Sequence, residues 1–294
     1  MSSYDKIVLV TGATGLIGKE LEKPLRDAGF DIHAITIDED NPDNGIHWLR
    51  GSLFDEKFVR QCMKSVKPTH LLNMAWATTG DYLTSDINYR FLQAGVTLAQ
   101  SFAENGGKRA VYAGTCFEYK FKDSPLKESD ELDPGKSVYA FCKDRLRSIV
   151  QFLFEQRGIS FGYGRIFYVF GRNEAKSRLS GMVFDRLSRG ERVLINSGPL
   201  RKDYMYSKDI ATAFVKFLDS KVEGCVNICT GNAISIKEFT YSIATAIGKA
   251  DLLDYGSFDG NQPLVVVGSP ARLNEEVGFV PSYSIQSAIS DILS

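Results

Sequence analysis

The sequence predicts an α/β fold, a doubly wound parallel sheet with a smaller C-terminal lobe, on three observations. Short β-branched runs alternate with amphipathic helical patterns, the signature of βαβ units. A row of regularly spaced glycines separates the first run from the first helix. The alternation lapses in two stretches, Arg172 to Tyr206 and about Gly231 to Ser294, which read as the lobe.

The elements follow in order. "KIVLV" (Lys6 to Val10) is a strand, and Leu16 to Ala28 has a helical pattern interrupted by Pro24, which removes a hydrogen bond and should kink or reframe the helix. "DIHAITI", "IHWLRG" and "THLLNMAWA" read as strands, followed by a long helix from about Asn88 to Glu104. "RAVYAGT" is a strand, Val138 to Gln156 a helix, "ISFGYGRIFYVFG" a further strand, Asp209 to Leu218 a helix and "CVNICTG" a last strand. With 294 residues the chain is long for one simple domain and short for two independent ones. The expected division is a dinucleotide-binding domain of residues 1–169 plus about 207–230, and a lobe of about 170–206 plus 231–294.

Composition excludes several classes. Hydrophobic residues make up 44% and charged residues 24%, enough apolar material for a sizeable core. With 35 basic and 36 acidic residues the net charge is -1, so no electrostatic footprint for nucleic acid or an anionic membrane is expected. The start "MSSYDKIVLV" lacks the pattern of a secretory signal and no apolar run suits a membrane helix, which points to a cytoplasmic protein. Five cysteines without C-x-x-C spacing and three scattered histidines suggest neither a disulfide framework nor a metal enzyme.

Three motifs carry chemistry. "TGATGLIGKE", with Gly12, Gly15 and Gly18 in G-x-x-G-x-x-G spacing, lets backbone approach a pyrophosphate at a helix N-terminus. "YAFCK" sets Tyr139 and Lys143 on one helix face, where both can reach one substrate atom. "AGTCFEY" ends a strand with Thr115, and in such sheets ligands gather at the strand C-termini. In isolation the glycine row also fits an ordinary tight turn, and Y-x-x-x-K is common on solvated helices. Their order and separation give them meaning together.

Taken together, these motifs resemble the extended short-chain dehydrogenase/reductase family over almost the whole chain. Asn88 matches that family's frequent Asn, "RIFYVFG" resembles its "RxxNVYG" strand, "RKDYMYSKDIATAF" its "RDFxxVxDxAxA" and "RLNEEVGFVPSYSI" its closing "KxxxxLGWxPxxsl" segment. The branch suggested modifies sugars attached to a nucleoside diphosphate. The resemblance implies a Rossmann-type sheet with Thr115, Tyr139 and Lys143 as the catalytic residues. It implies a cofactor site of Gly12, Thr14, Gly15, Leu16, Ile17 and Gly18 in the glycine loop and Thr36, Ser52 and Leu53 at the next strand ends. Ala75, Trp76, Ala77, Tyr139, Lys143, Ile166 and Tyr168 complete that site. Thr115, Cys116, Phe117, Tyr168, Arg178 and Lys202 are the expected substrate contacts. A homodimer through the helices after Asn88 and around Tyr139 is also implied.

Ketone reduction needs a hydride and a proton for the developing alkoxide. Tyr139 is the expected proton donor. Lys143 is expected to favour the phenolate and hold the nicotinamide ribose, and Thr115 to fix the carbonyl. The resembling dehydratases have adjacent Asp and Glu after the active-site Thr, where this chain has Cys116 and Phe117; dehydration is therefore disfavoured. The 3,5-epimerising reductases have a Cys two residues after that Thr and a later His, where this chain has Phe117 and no His beyond His70. Cys116 reads as a buried small hydrophobe, and Glu118 as either an acid touching the substrate or, in preference, a solvated or ion-paired carboxylate.

Thr36 stands where NAD-binding relatives usually carry an Asp, which leaves room for a 2′-phosphate; no arginine follows at once and Asp38 is near. NADP(H) is preferred, with NAD(H) the alternative. Tyr168 replaces an Asn common in epimerases. Lys202 replaces the Arg of "RDF", Arg201, Arg172, Lys176 and Arg178 are further cations, and "DYGSFDGNQP" lacks the family's later arginine. The expected activity is a 4-ketoreductase of a nucleotide-linked 4-keto-6-deoxyhexose, with a nucleotide-sugar 4-epimerase as alternative. A non-catalytic cofactor sensor or nucleic-acid scaffold is disfavoured by the retained Thr115, Tyr139 and Lys143.

Overall fold

The large sheet is built from strands β1 (Ile7–Thr11), β2 (Asp31–Thr36), β3 (His47–Arg50), β4 (His70–Asn73), β5 (Arg109–Thr115) and β6 (Ser160–Ile166), closed at one edge by β11 (Gly224–Ile228). A computed structural model describes residues 6–39, 42, 44–258, 260 and 263–294. The reading of the N-terminal stretch rests partly on residues 1–5, and that of 254–263 partly on residues 259, 261 and 262, all outside the described residues. The seven strands run in the order β11-β6-β5-β4-β1-β2-β3, and every pair is parallel. Such a sheet must be covered on both faces, and Val8 and Val10 point into one apolar layer while Leu9 points into the other.

Helices supply the two covers. On one face lie Leu25 of α1 (Glu22–Asp27) and Ile210, Phe214 and Phe217 of α6 (Ser207–Asp219). On the other lie α2 (Glu56–Val66), α3 (Ile87–Glu104) and α4 (Val138–Glu155), through Val59, Met63, Leu98, Phe102, Leu146 and Phe154. The sequence reading names no helix over 56–66. Asp55 starts it by accepting hydrogen bonds from the Lys57 and Phe58 amides, an N-cap, and Lys67 ends it in the left-handed conformation.

Two expectations need correction. The helix expected over Leu16 to Ala28 is broken into a turn, a 3-10 segment Gly18–Glu20 and the short α1. Pro24 explains the break: lacking an N–H, it cannot bond back to Glu20, and it is accommodated in the first turn of the restarted helix, where no such bond is needed. "ISFGYGRIFYVFG" is two strands. β6 stops at Ile166 beside Thr115 and Ile228, Phe167 turns into a separate apolar cluster, and β7 (Tyr168–Phe170) pairs with Tyr204–Tyr206.

Past β7 the elements are short: α5 (Leu179–Ser188), β8 (Val193–Ile195), β9 (Arg201–Lys202), β10 (Tyr204–Tyr206), β12 (Ile234–Ser235), α7 (Ile236–Ile247), β13 (Leu253–Tyr255) and β14 (Val265–Val266). They make small sheets β10-β7, β12-β9-β14 and β13-β8, around a core that includes Phe170, Val183, Leu187, Tyr204 and Phe239. α9 (Ile285–Leu293) packs there through Ala288 and Ile289. α8 (Ala271–Glu275) instead sends Leu273, with Val277 and Phe279, into the layer on the large sheet. Buried Asp203 gathers the crossing segments: its carboxylate accepts from the Thr230 amide and hydroxyl, the Gly231 amide and the Gly268 amide, and its carbonyl accepts from the Tyr168 amide. Among the described residues no helix is long and apolar enough to cross a membrane.

The order of strands reverses between β1 and β4, and crevices at such switch points hold ligands. The glycine loop sits there. A Cβ on Gly12, whose φ is +74°, would meet the Ala75 nitrogen at 2.8 Å, and one on Gly18 would meet the Gly12 carbonyl oxygen at 2.0 Å. A Cβ on Gly15 would meet only that oxygen, at 3.3 Å. Gly18→Ala is therefore expected to cost on the order of 2–3 kcal/mol, because its clash is with backbone, and to lower the thermal midpoint by about 5–10 °C. Gly15→Ala should change it by no more than about 2 °C; equal losses in the two variants, read by thermal unfolding, would contradict this account.

Candidate functional site

The C-terminal ends of β1, β4, β5 and β6 open into a cleft of about 410 Å³ lined by Gly12, Gly15, Leu16, Ile17, Trp76, Thr115, Tyr139, Lys143 and Ile166, among others. A second cavity of about 810 Å³, lined by Phe117, Tyr168, Arg178, Lys202 and Tyr204, shares Thr78, Tyr82, Phe117, Glu174 and Arg178 with the first. The two join into one continuous trough through those shared residues, with Thr115, Tyr139 and Lys143 in the wall of the first.

Each of these side chains is placed by a local cause. β5 is buried along its whole length, so its end is rigid, and Thr115 there caps the following 3-10 turn by accepting from the Phe117 amide at 3.3 Å. Glu118 reaches back to accept from the Thr115 amide at 3.1 Å. α4 starts at Ser137, whose hydroxyl accepts from the Ala140 amide, so Tyr139 and Lys143 lie one turn apart at the cleft end of the helix. The Tyr139 ring is boxed edge-on by Tyr82 at 5.1 Å, Trp76 at 6.2 Å and Phe117 at 6.5 Å. Burial pushes its phenol well above the ordinary tyrosine range, and a hydrogen bond with Thr115 pulls it back down in part.

Lys143 is held from two sides. Its ammonium donates to the Ala113 carbonyl at 2.6 Å and lies 4.1 Å from the centre of the Trp76 ring. Burial lowers its pKa to about 7, opposed by the Glu118 carboxylate. Trp76 is held in turn by Asn88, whose side-chain oxygen accepts from the indole at 2.7 Å while its amide donates to the Tyr82 and Ser85 carbonyls. The Asn matched by sequence thus fixes the floor under Lys143.

Other expected residues divide clearly. Cys116 is fully buried in the cluster with Tyr119, Leu126 and Cys229, its thiol pushed up by burial; it backs the cavity and does not line it. Glu118 is the ion-paired carboxylate of the two readings: it bonds Arg165 Nε at 2.8 Å and accepts from the Tyr163 hydroxyl at 2.7 Å, facing away from the trough. Of the candidate phosphate cations, Arg178 and Lys202 line the larger cavity. Arg172 turns to the Asp291 carbonyl, Lys176 to Asp185 and Arg201 to Glu238 and the Ala233 carbonyl. The buried Lys202 ammonium lies 5.2 Å from the Tyr168 ring centre, its pKa lowered by burial.

At the far end, Thr36 is buried and its hydroxyl accepts from the Asp38 amide at 3.0 Å. Ser52 accepts from the Phe54 amide, Leu53 packs in the layer with α2 and α3, and the Ala75 amide donates to the Thr11 hydroxyl. Thr14 lies on the loop outside the cleft lining. Sequence reasoning missed three residues. Tyr82 walls Tyr139. Glu174, holding Arg178 at 2.8 Å, has its carboxyl raised to about 7 by burial, against the pull of Arg178. Exposed Arg50 is set opposite Thr36 by the β2–β3 register; a search confined to residues following Thr36 could not reach it, because strand register is not written in local sequence.

The cleft fits a dinucleotide. Apart from the Gly12 oxygen, Gly15 faces open space where a side chain would stand, and the amides of Leu16 and Ile17 in the cleft wall have no acceptor among the described residues. Such amides at the start of a helical segment suit a pyrophosphate.

Comparison with known proteins agrees. The model of the NAD dependent epimerase/dehydratase family matches residues 8–229. The dTDP-6-deoxy-L-talose 4-dehydrogenase (NAD(+)) of Aggregatibacter actinomycetemcomitans is 24% identical over 245 residues, covering 78% of this chain and 86% of that protein. CDP-abequose synthase of Salmonella typhimurium is 21% identical, covering 100% of this chain and 99% of that one. The solved structure of the Thermus thermophilus UDP-glucose 4-epimerase in complex with NAD superimposes with a TM-score of 0.86 at 22% identity, over 98% of this chain and 99% of that one. A family match that runs from the first strand of the sheet to its last makes the chain a member of the NAD-dependent epimerase/dehydratase family, the extended short-chain dehydrogenase/reductases that modify nucleotide sugars.

Proposed function

We propose that the protein is a 4-ketoreductase acting on a nucleoside-diphosphate-linked 4-keto-6-deoxyhexose, with NADPH as the preferred reductant. The observation that carries this reading is the meeting of Thr115, protonated Tyr139 and Lys143 in the wall of the first cleft, which opens past Tyr82 and Phe117 into the second, with no carboxylic acid beside them on the 116–117 segment. Chain division follows: residues 1–169 and about 207–230 bind the cofactor, and about 170–206 and 231–294 bind the sugar nucleotide, with 271–279 returning to the large sheet.

When bound, the reduced nicotinamide supplies the hydride. Tyr139 supplies the proton to the carbonyl oxygen, a task for which a phenol kept neutral by burial is prepared. Thr115 donates a second hydrogen bond to that oxygen. Lys143, held at the Ala113 carbonyl, is within the wall that would meet the ribose, and as an ammonium it stabilises charge developing on the phenol. Phe117, Tyr82 and Tyr168 give the sugar side an apolar wall, which suits the methyl of a 6-deoxy sugar. Arg178 and Lys202 are the cations for the diphosphate.

The cofactor preference rests on Thr36, which carries no charge to repel a 2′-phosphate, and on Arg50 opposite it. The NAD named for two of the relatives favours NADH, and the likeness to 4-epimerases favours interconversion of two 4-epimers as the second reading. A homodimer is supported by the apolar side chains that α3 and α4 leave exposed, Tyr89, Phe141, Ile149 and Phe152. Free cysteines, four of the five buried, suit a reducing compartment such as the cytoplasm.

Incubation with a panel of nucleotide-linked 4-keto sugars should consume NADPH. If the protein purifies with tightly bound NAD and interconverts two 4-epimers without added reductant, the epimerase reading replaces this one. Tyr139→Phe should leave folding and cofactor binding intact and lower kcat by about 10²–10⁴-fold; turnover within about tenfold of the parent removes Tyr139 from the mechanism. Thr36→Asp should shift preference from NADPH toward NADH in kcat/KM while leaving the pH dependence of turnover unchanged.

Lys143 generates a stability prediction. Between about pH 7 and the ordinary lysine value, the unfolded chain holds a proton on Lys143 that the folded chain has released, so rising pH favours the folded state across that window. Lys143→Met should abolish this contribution. In denaturant unfolding of the cofactor-free protein, the advantage of Lys143→Met over the parent should be greatest below pH 7 and shrink toward pH 10; a constant difference would show that Lys143 keeps its proton on folding.

A further inference from the structure

The end of the large sheet opposite the trough carries a cluster that the proposed reaction does not use. The parallel register places His33 of β2 beside His47 of β3, with the rings stacked 4.7 Å apart at 27°. Asp31, two residues before His33 and so on the same face of β2, reaches both rings: Oδ2 lies 3.4 Å from His33 Nε2 and Oδ1 3.2 Å from His47 Nε2. One ligand atom from each residue falls within 4.8 Å of the others.

The spacings are looser than those of a tight hydrogen-bonded cluster. N–H···O bonds fall at about 2.7–3.2 Å, most of them near 2.9 Å. Donors bound to a tetrahedral ion at about 2.0–2.2 Å stand roughly 3.3–3.6 Å from one another. The two nitrogen–oxygen distances in this cluster, 3.2 and 3.4 Å, run to different oxygens of the Asp31 carboxylate; both are long for hydrogen bonds and near the donor separations around one ion, which a small turn of the carboxylate would bring to a shared oxygen.

We propose that Asp31, His33 and His47 bind one divalent ion of the zinc class. Two imidazole nitrogens and one carboxylate oxygen are the donors such ions take, and a hard ion such as Mg²⁺ would want more oxygen. Asp31 and His33 are fixed by pairing with Ile7 and Leu9 of β1. His47 is on the edge strand with 62% of its side chain exposed, so its ring has room to turn and bring the third donor in. The fourth position is left to water. His33 Nδ1 has no hydrogen-bond partner, and without an outer partner to orient the ring the affinity is expected to be micromolar and not tighter. The ion would clip β3 (four residues, the last strand on its edge) to β2, fixing the register that sets Arg50 opposite Thr36.

The test uses the full chain, free of any histidine tag and stripped with a chelator. It is titrated with Zn²⁺ by calorimetry and with Co²⁺ by visible absorption. One ion per chain is expected, with a rise in thermal midpoint on adding Zn²⁺. His47→Ala, an exposed substitution, should leave the metal-free melting unchanged and weaken binding at least about tenfold, and Asp31→Asn should do the same to binding. If His47→Ala disturbs folding, His47→Gln serves in its place. No saturable binding, or binding undiminished in the His47 variant, overturns the proposal.

Discussion

A single buried carboxylate organises the reactive end of the fold. Glu118, with no exposed surface, accepts from the Thr115 amide, the Tyr163 hydroxyl and the Arg165 guanidinium, so a charge costly to bury is met on three sides. Those partners come from β5 and its neighbour β6, and the carboxylate itself from the turn that follows β5. Fixing them fixes Thr115. The Arg165 side chain continues the network to the Tyr119 hydroxyl, which donates to Asn227 on β11 at 2.7 Å, tying the turn to the far edge of the sheet. The same carboxylate is felt electrostatically at Tyr139 and Lys143, though it touches neither. An apolar replacement could satisfy packing here, but it would leave the Thr115 amide without its acceptor and the Arg165 charge without its counterion in the core.

Because Glu118 is consumed in this way, the trough holds no acid next to Thr115. In the proposed reaction proton traffic then falls to Tyr139, and the sugar would meet Phe117 in its place. Glu174 is a carboxyl that does line the trough, and its bond to Arg178 makes it the partner of a cation proposed for the diphosphate more than of the reacting carbon. Lys143 rests on Trp76, and Trp76 on Asn88, so the floor of the cleft is held by contacts within the protein itself.

The large sheet was legible in sequence because a parallel strand buried on both faces reads as a nearly continuous apolar run, as β5 does between Arg109 and Thr115. α4 was equally plain, since Ser137 caps it and its apolar stripe is long. What failed had physical reasons. Pro24 cut α1 into pieces whose combined pattern still looks helical. The run through Phe167 is continuously apolar, so nothing in it marks the point where pairing passes from β11 to β10. The lobe's strands of two or three residues are defined by distant partners and carry almost no periodicity of their own. At the site, glycine spacing and the Tyr–Lys pair were readable because each depends on local geometry. Arg50, the split between Arg178 and the solvent-facing cations, and the meeting of His33 with His47 depend on register, which is a property of two segments and not of one.

The Asp203 carboxylate has a consequence for how the trough can change shape. The segments at Tyr168, Thr230–Gly231 and Gly268, three of the passages between the large sheet and the lobe, all bond to this one residue. Where several connections converge on a point, the parts they join can rotate about it but cannot slide past each other. Lys202 adjoins that pivot and would hold its place over Tyr168 through such a rotation. Arg178 is instead bonded to the Thr78 carbonyl across the trough at 3.0 Å. A rotation about Asp203 would therefore change the distance between the two cations, one tied to the pivot and the other to the opposite wall.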